Sequence, residues 1–311
     1  MIYNPAAGSC GERRAMKIAA ALESFGAPVT PMATDASGAA TRFAREAVGL
    51  GVSKIVVAGG DGTINETVNG MAGSGVELGV IPVGTVNVLA KALSIPANVD
   101  EACRLAMTGE SIAIDLGRAG ERYFTLMAGV GFDALTIKNL DPVLKRALRS
   151  AAFPISGLKT FITEELPLIS VKSDGHETEG YFVIAANSRY YGGRFGPTPL
   201  ADMQDGLLDF CILREKSFTE MLRFWISSIR KEQIDEPLAE YFRADEAKVT
   251  CPSGKQVLVQ TDGEIVGELP VGISVAPGAL RICAGTGASG GSGGATGTGG
   301  GTPATGAGPT G

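Results

Sequence analysis

The stretch KIVVAGGDGTINETVNG, residues 54–70, decides the reading of the fold. Lys54-Ile55-Val56-Val57-Ala58 is a short, continuous apolar run, which predicts a strand buried on both faces. Gly59-Gly60-Asp61-Gly62-Thr63 then predicts a loop, and Ile64 to about Met71 a helix. Such a loop lies at the carboxyl end of a parallel strand, where ligands bind, and the helix behind it offers free N–H groups to an anion. Two readings of the string are open. In one, the glycines let backbone approach phosphate while Asp61 and Thr63 add a carboxylate and a hydroxyl. In the other it is a plain strand-to-helix turn with Thr63 as the N-cap.

The neighbouring segments favour the first reading. LGVIPVGTVNVLAKAL, residues 78–93, puts Gly84, Thr85 and Asn87 at a second helix entrance, and YNPAAG, residues 3–8, does the same with Asn4, Pro5 and Gly8. GxxxxGK[ST] does not occur, and GxGxxG does not occur before the glycine-rich tail, which excludes a P-loop and a standard dinucleotide fingerprint in the α/β part. Working outward, the pattern predicts strands at Ile2-Tyr3-Asn4, near Val29, at Leu78 to Ile81 and at Ile112 to Leu116. Helices are predicted over Gly11 to Phe25, Ser37 to Leu50, Asn87 to Leu93 and Asp100 to Met107. That alternation means crossover units and a parallel sheet flanked by helices over residues 1–116. The first strand is shorter than the ~5 residues usual in a sheet, which leaves room for chain upstream.

After Gly117 the rhythm changes to extended runs separated by turns, at 123–128, 168–173, 181–186, 207–213, 247–251, 256–261 and 272–276. These predict a β-rich, sandwich-like second domain over residues 117–284. Two helical inserts interrupt it. Leu140, Val143, Leu144, Ala147, Leu148 and Ala151 form one apolar stripe; Met221, Leu222, Trp225 and Ile229, within Phe218 to Glu232, form the other. Both are basic: residues 138–149 hold four Lys/Arg against one Asp, and 214–231 five against two Glu. Surfaces of this kind suit anionic membrane interfaces, and equally suit amphipathic helices packed on a core. From Ala284 the chain holds 13 of the 44 glycines and no charge, so residues 285–311 are expected to be a disordered tail.

Composition removes several function classes. A mean hydropathy of +0.17 invites a search for membrane spans, but the longest uncharged apolar windows contain Pro and Gly and fall short of the ~18 residues needed. No secretion signal is visible, so the expected compartment is the cytoplasm. Five cysteines, Cys10, Cys103, Cys211, Cys251 and Cys283, never fall in CxxC spacing and read as small core hydrophobes. The lone histidine, His176, reads as a loop residue and leaves no material for a Ser-His-Asp site. A net charge of −6 argues against nucleic acid as a partner.

Taken in order, NPAAG (4–8), GGDGTINE (59–66), GTVN (84–87), GVGFDA (129–134), NSRYYGGRF (187–195), DGLLDF (205–210) and TDGE (261–264) resemble the diacylglycerol kinase catalytic-domain family. This is a family of bacterial lipid kinases related to sphingosine and ceramide kinases. The resemblance runs from Asn4 to about Arg281 and implies an α/β fold: an N-terminal parallel-sheet domain of NAD kinase/diacylglycerol kinase type and a C-terminal β-sandwich-like domain. It further implies ATP and Mg2+ as cofactors, a lipid alcohol as acceptor, peripheral contact with anionic membrane and room for a homodimer. Carried across by position, nucleotide contacts fall on Asn4, Thr34, Gly59, Gly60, Asp61, Gly62, Thr63, Asn65, Glu66, Gly84, Thr85 and Asn87. Asp205 would ligate a structural magnesium, with Asp202 and Leu207 as carbonyl donors, although Asp205-Gly206 also reads as a hairpin turn. Glu264 is the implied proton acceptor, Asp262 stands beside it, and Asp61 is a rival for the same role. Asp262-Gly263 also reads as a strand-end turn.

One departure stands out. The family often has an aspartate directly after GTxN; here Val88 holds that place and cannot ligate, so metal at the phosphates would rely on Asp61 and nucleotide oxygens. Besides a lipid kinase, an NAD kinase and a non-catalytic nucleotide- or lipid-binding relative fit the glycine loop. The NAD kinase reading leaves DGLLDF and the YYGG segment unexplained.

Overall fold

The computed structural model describes residues 1–7, 10–139, 157, 160–161, 163–190, 196–230 and 239–286. The elements begin β1 (Ile2–Tyr3), α1 (Glu12–Glu23), β2 (Met32–Ala33), α2 (Ala39–Gly49), β3 (Lys54–Gly59), α3 (Asp61–Met71), β4 (Glu77–Pro82), α4 (Val88–Ala92) and α5 (Val99–Thr108). They continue with β5 (Ser111–Ala119), β6 (Arg122–Phe124), β7 (Met127–Gly131), α6 (Phe132–Lys138), β8 (Ile169–Ser173), β9 (His176–Gly180), β10 (Phe182–Ala186) and β11 (Leu208–Leu213). The last are α7 (Phe218–Arg230), β12 (Ala239–Ala244), β13 (Glu246–Thr250), β14 (Leu258–Thr261), β15 (Glu264–Glu268) and β16 (Val271–Cys283).

Two sheets carry the fold, as expected: a parallel-rich α/β part and an antiparallel part. Parallel pairing joins β2, β1, β3 and β4. The buried apolar runs of β3 and β4 are what a strand with helices on both faces requires. This sheet continues without a break through β16, β13, β8 and β9, with β5 on β16 and β6 on β5. The 13-residue β16 makes the join. Its last residues pair parallel to β4, its first pair antiparallel to β13, and β5 follows its whole length. The second sheet, in the order β12-β11-β10-β7-β14-β15, is antiparallel. One apolar cluster, including Phe124, Val130, Val183, Phe210, Val249 and Ile273, fills the space between the sheets. Apolar surface removed from water at about 25 cal/mol per Å² is the main stabilising term for such a layer.

Several elements differ from the sequence reading. The strand placed near Val29 lies at Met32–Ala33. The run 123–128 is two strands, broken at Thr125-Leu126 because the amides there turn toward Asp262. His176 opens β9 instead of lying in a loop; its Nε2 is 2.7 Å from Glu240 Oε1 and its ring packs on Phe242. In α7, Met221 of the expected stripe is buried beside Phe224, which meets Phe182 edge-on; the side chains of Leu222, Trp225 and Ile229 lie outside the described residues. The insert around residues 140–151, Gly8, Tyr191 to Arg194 and most of the tail lie outside the described residues. The start of the tail is docked, since Gly285 N donates to Leu93 O at 2.9 Å. Among the described residues no helix is long and apolar enough to cross a membrane.

The glycines of α3 are placed by packing. At Gly70 a Cβ would lie 2.3 Å from Thr41 O and 2.7 Å from Ala44 Cβ, so α2 and α3 cross with their backbones nearly touching. Alanine at that position gains up to ~1 kcal/mol of helix propensity. The overpacking costs about 1–3 kcal/mol and wins. G70A is expected to lower unfolding free energy, read as an earlier midpoint in urea with an unchanged slope.

Candidate active site

Three strand exits converge at one end of the parallel strands. Gly59 ends β3 and α3 already begins at Asp61, so the predicted five-residue loop contracts to Gly60, whose backbone is extended. Thr63 is therefore no N-cap. It sits in the first helical turn, folded against Gly59, where a Cβ would come within 2.7 Å of Thr63 Cβ. Its Oγ1 accepts from Asn4 Nδ2 at 3.3 Å, while Asn4 Oδ1 accepts from Ala6 N at 2.8 Å, which ties the β1 exit to the β3 exit. Thr34, which donates its N–H to Tyr3 O at 2.9 Å, extends β2 beside them.

The β4 exit presses directly on the β3 exit. A Cβ on Gly84 would stand 2.4 Å from Gly60 Cα, a distance only glycine removes. Asn87 enters α4 with φ +54°, a conformation that asparagine tolerates better than most residues, and donates Nδ2 to Gly84 O at 3.0 Å. Thr85, next to Gly84, is exposed. Asp61 reaches across and accepts from Leu89 N at 3.3 Å, so its carboxylate caps the short α4. Burial pushes the Asp61 pKa up; the amides of Leu89, Val88 and Asn87 oppose this and the Asp262 charge adds to it. Val88 itself is buried. Glu66 faces the other way: its oxygens accept from Ala40 N at 3.2 Å and Ser37 Oγ at 3.4 Å, which caps α2. What remains is the amino end of an 11-residue helix between glycine turns, an arrangement suited to phosphate oxygens.

The antiparallel part supplies carboxylates from the β14–β15 turn. Asp262 accepts five hydrogen bonds: Oδ2 from Asn65 Nδ2 (2.8 Å), Thr125 N (2.7 Å) and Thr125 Oγ1 (2.8 Å), and Oδ1 from Leu126 N (2.9 Å) and Met127 N (3.1 Å). Two residues on, Glu264 opens β15. Its Oε2 accepts from Arg122 Nη2 at 3.1 Å, and its Oε1 would lie 3.3 Å from a Cβ on Gly62. Glu264 thus stands over the first turn of α3, with its side chain 43% exposed and open to a reactant. Asn65 and Asn69, four residues apart on α3, hold Tyr123 of β6: Asn69 Oδ1 accepts from Tyr123 N at 2.9 Å, and both Nδ2 groups donate to Tyr123 O.

The DGLLDF segment is held by its own set of contacts. Asp205 Oδ1 accepts from Leu207 N at 3.0 Å and Oδ2 pairs with the Arg243 guanidinium; Asp202 Oδ1 accepts from Gln204 N at 3.1 Å. Among the described residues no three His, Cys, Asp or Glu side chains come together as a metal site. Asp205 is thus held by the Arg243 guanidinium and by Leu207 N, and its oxygens, with the Asp202 and Leu207 carbonyls, are the donor type a hard cation takes. Asp209 nearby is fully buried, which pushes its pKa up to about 6, the Tyr241 hydroxyl opposing and the Asp202 charge adding. Asp115, which the sequence reading passed over, fastens the segment by accepting from Gly206 N at 2.8 Å and Gly278 N at 2.7 Å. Arg122 and Arg243 were also missed, since neither lies in a motif. The Asn65/Asn69 spacing was a signal, because residues four apart share a helix face.

The five donors on Asp262 make it a structural acceptor. D262N would turn an amide N–H₂ toward backbone N–H groups and leave at least one buried donor unpaired, at a cost of about 2 kcal/mol or more. Thermal unfolding of the variant is expected several degrees below the parent.

Known proteins place this arrangement. Residues 1–119 match the diacylglycerol kinase catalytic domain model, and residues 126–284 match that of the YegS C-terminal NAD kinase beta sandwich-like domain. The chain is 32% identical to a diacylglycerol kinase of Bacillus subtilis (strain 168) over 278 residues, covering 87% of this chain and 90% of that protein. It is 30% identical to a diacylglycerol kinase of Staphylococcus aureus (strain bovine RF122 / ET3-1) over 277 residues, with 87% of each covered. A crystal structure from Bacillus anthracis str. Sterne superposes with a TM-score of 0.77 at 26% identity, over 92% of this chain and 94% of that one. A second, titled as a diacylglycerol kinase, does so with a TM-score of 0.72 at 23% identity, over 92% and 96%, and bears on the fold alone. With relatives of this identity and coverage and a shared two-sheet fold, the chain belongs to the diacylglycerol kinase family of lipid kinases.

Proposed function

We propose that this chain transfers the γ-phosphoryl group of ATP to the hydroxyl of a diacylglycerol-like lipid. The observation that carries the reading is the position of Glu264, a carboxylate brought from the second sheet to the phosphate-binding turn of the first. The nucleotide's phosphates would lie on the amino end of α3 and the turns at Gly60 and Gly84, with Asn4, Thr34, Thr63 and Thr85 along the same edge. A divalent cation carried by ATP would supply charge neutralisation at the phosphate oxygens.

The acceptor hydroxyl attacks the γ-phosphorus, a new P–O bond forms, and the bond to the bridging oxygen breaks so that ADP leaves. The hydroxyl proton passes to Glu264. Asp61 and Asp262 are less suited to that task. Asp61 is spent on capping α4, and Asp262 has both oxygens filled by donors. Asn65 supports the site through Asp262, and Glu66 supports it by fixing α2 against α3. An acceptor of this class resides in a bilayer. The exposed Ile226 and Arg223 on α7 give the enzyme an apolar and basic contact for an anionic surface, consistent with peripheral association.

Purified protein with labelled ATP is expected to phosphorylate diacylglycerol in mixed micelles and to leave NAD unmodified; the reverse preference would replace this reading with that of an NAD kinase. Loss of a positioned general base costs about 10²–10⁴-fold in rate. E264Q is therefore expected to lose turnover by that order while its affinity for ATP, measured by calorimetry, stays within a factor of two or so. Retained turnover would exclude Glu264 as the acceptor.

A further inference from the structure

We infer that Arg122 is the residue that positions Glu264 and keeps it ionised for the proton transfer. The inference rests on the reading of Glu264 as proton acceptor and adds a residue to it. One nitrogen, Nη2, donates both to Glu264 Oε2 at 3.1 Å and to Asn65 Oδ1 at 3.0 Å. Asn65 in turn holds Asp262, so the guanidinium closes a loop of contacts from α3 through β6 to the β14–β15 turn. The loop has little slack. Arg122 pairs with Ala119 in the β5–β6 ladder, and the adjacent Tyr123 is gripped at both its N–H and C=O by side chains of α3. The charge of Arg122 is thus referenced to the same helix that bears the phosphate-binding turn.

Glu264 needs this support because of where it sits. It begins β15, an edge strand paired on one side only, with β14, and that pairing carries a register shift. Backbone pairing leaves such a side chain free to swing, whereas a charge-assisted hydrogen bond restricts it to one oxygen and one direction. The elements around Glu264 carry Arg122 on β6, Asp61 and Glu66 on α3, Asp133 and Lys138 on α6 and Asp262 on its own turn. Of these, Arg122 is the cation hydrogen-bonded to the carboxylate. The Asp262 carboxylate, two residues before Glu264 on the same turn, would by itself favour the protonated form of Glu264, and the guanidinium opposes it.

The test separates positioning from folding. R122Q is expected to lower kcat about ten- to hundredfold, the size of a lost charge-assisted hydrogen bond, with the KM for ATP unchanged. Without the cation, Glu264 protonates at higher pH, so the acid limb of the kcat profile moves to higher pH. R122K, which keeps the charge, is expected to keep the limb in place and recover much of the rate. Arg122 also lines a cleft of about 520 Å³, together with Arg45, Asn69, Val266 and Pro270, so a guanidinium ion has a route to the space vacated in R122A and is expected to restore activity. In an E264Q background the R122Q change is expected to cost little more. An active parent whose R122Q variant keeps its rate and pH profile overturns the inference. So does a variant that loses activity with a lowered unfolding temperature, no shift of the limb and no rescue by lysine or guanidinium. A parent without any phosphotransfer removes the proposed function itself, a separate outcome.

Discussion

The carboxylate of Asp262 accepts hydrogen bonds from α3, from the break between β6 and β7, and from no solvent-facing group. These contacts join parts of the chain more than 130 residues apart in sequence. A half-buried carboxylate is stable where donors surround it, and the three successive amides of Thr125, Leu126 and Met127 form such a nest. Asp262 takes φ +47° and Gly263 φ +90°, which turns the chain sharply enough for Glu264 to start a strand directly above the first turn of α3. The placement of Glu264 is thus a consequence of how Asp262 is satisfied.

A second constraint comes from the absence of side chains. Gly60 and Gly84 leave two adjacent parallel strands free to bring their exits into backbone contact, and Gly62 leaves room for the Glu264 carboxylate. Each glycine therefore answers a close approach, by another backbone or by a side chain from the other sheet. The amino end of α3 stays open as a result, while Asp61, which could have blocked it, is drawn aside onto α4. A bulky residue at any of the three positions would separate parts that have to touch for phosphate and carboxylate to face one another.

How much of this was legible follows the physics of burial. The strands β3, β4, β10 and β11 are buried throughout and read directly as apolar runs. The strands missed or misplaced, β2, β9, β12 and β15, all lie at the edges of their sheets. An edge strand has a solvated side and tolerates polar residues, so HETEG has no apolar residue and EIVGE has only the pair Ile265-Val266, too little to read as a strand. The helix start at Asp61 was placed late because Asp-Gly-Thr suggests a turn, and packing against Gly59 and α2 overrode that propensity. Of the candidate site, the motifs named the glycine turns and Glu264. Arg122 and Asp115 stayed hidden because a single charged residue in a strand has no pattern, and its partners are distant in sequence. The contact of Asp205 with Arg243 was hidden for the same reason, since Arg243 lies outside the motif.

These limits share a cause that also bears on mechanism. A proton acceptor has to be accessible to the reacting hydroxyl, which favours an edge strand over a buried one. An edge strand holds its side chains poorly, because half of its backbone groups have no partner strand. The structure resolves the conflict with side-chain contacts in place of backbone ones: Asn65 and Asn69 fix β6, Arg122 reaches from β6 to Glu264, and Asp262 fixes the turn before it. Rigidity is borrowed from α3, the helix whose amino end is the proposed phosphate site. Any motion of one sheet against the other then carries the proposed acceptor and the proposed phosphate site together, so their separation is set by a few hydrogen bonds and not by the stiffness of the whole molecule.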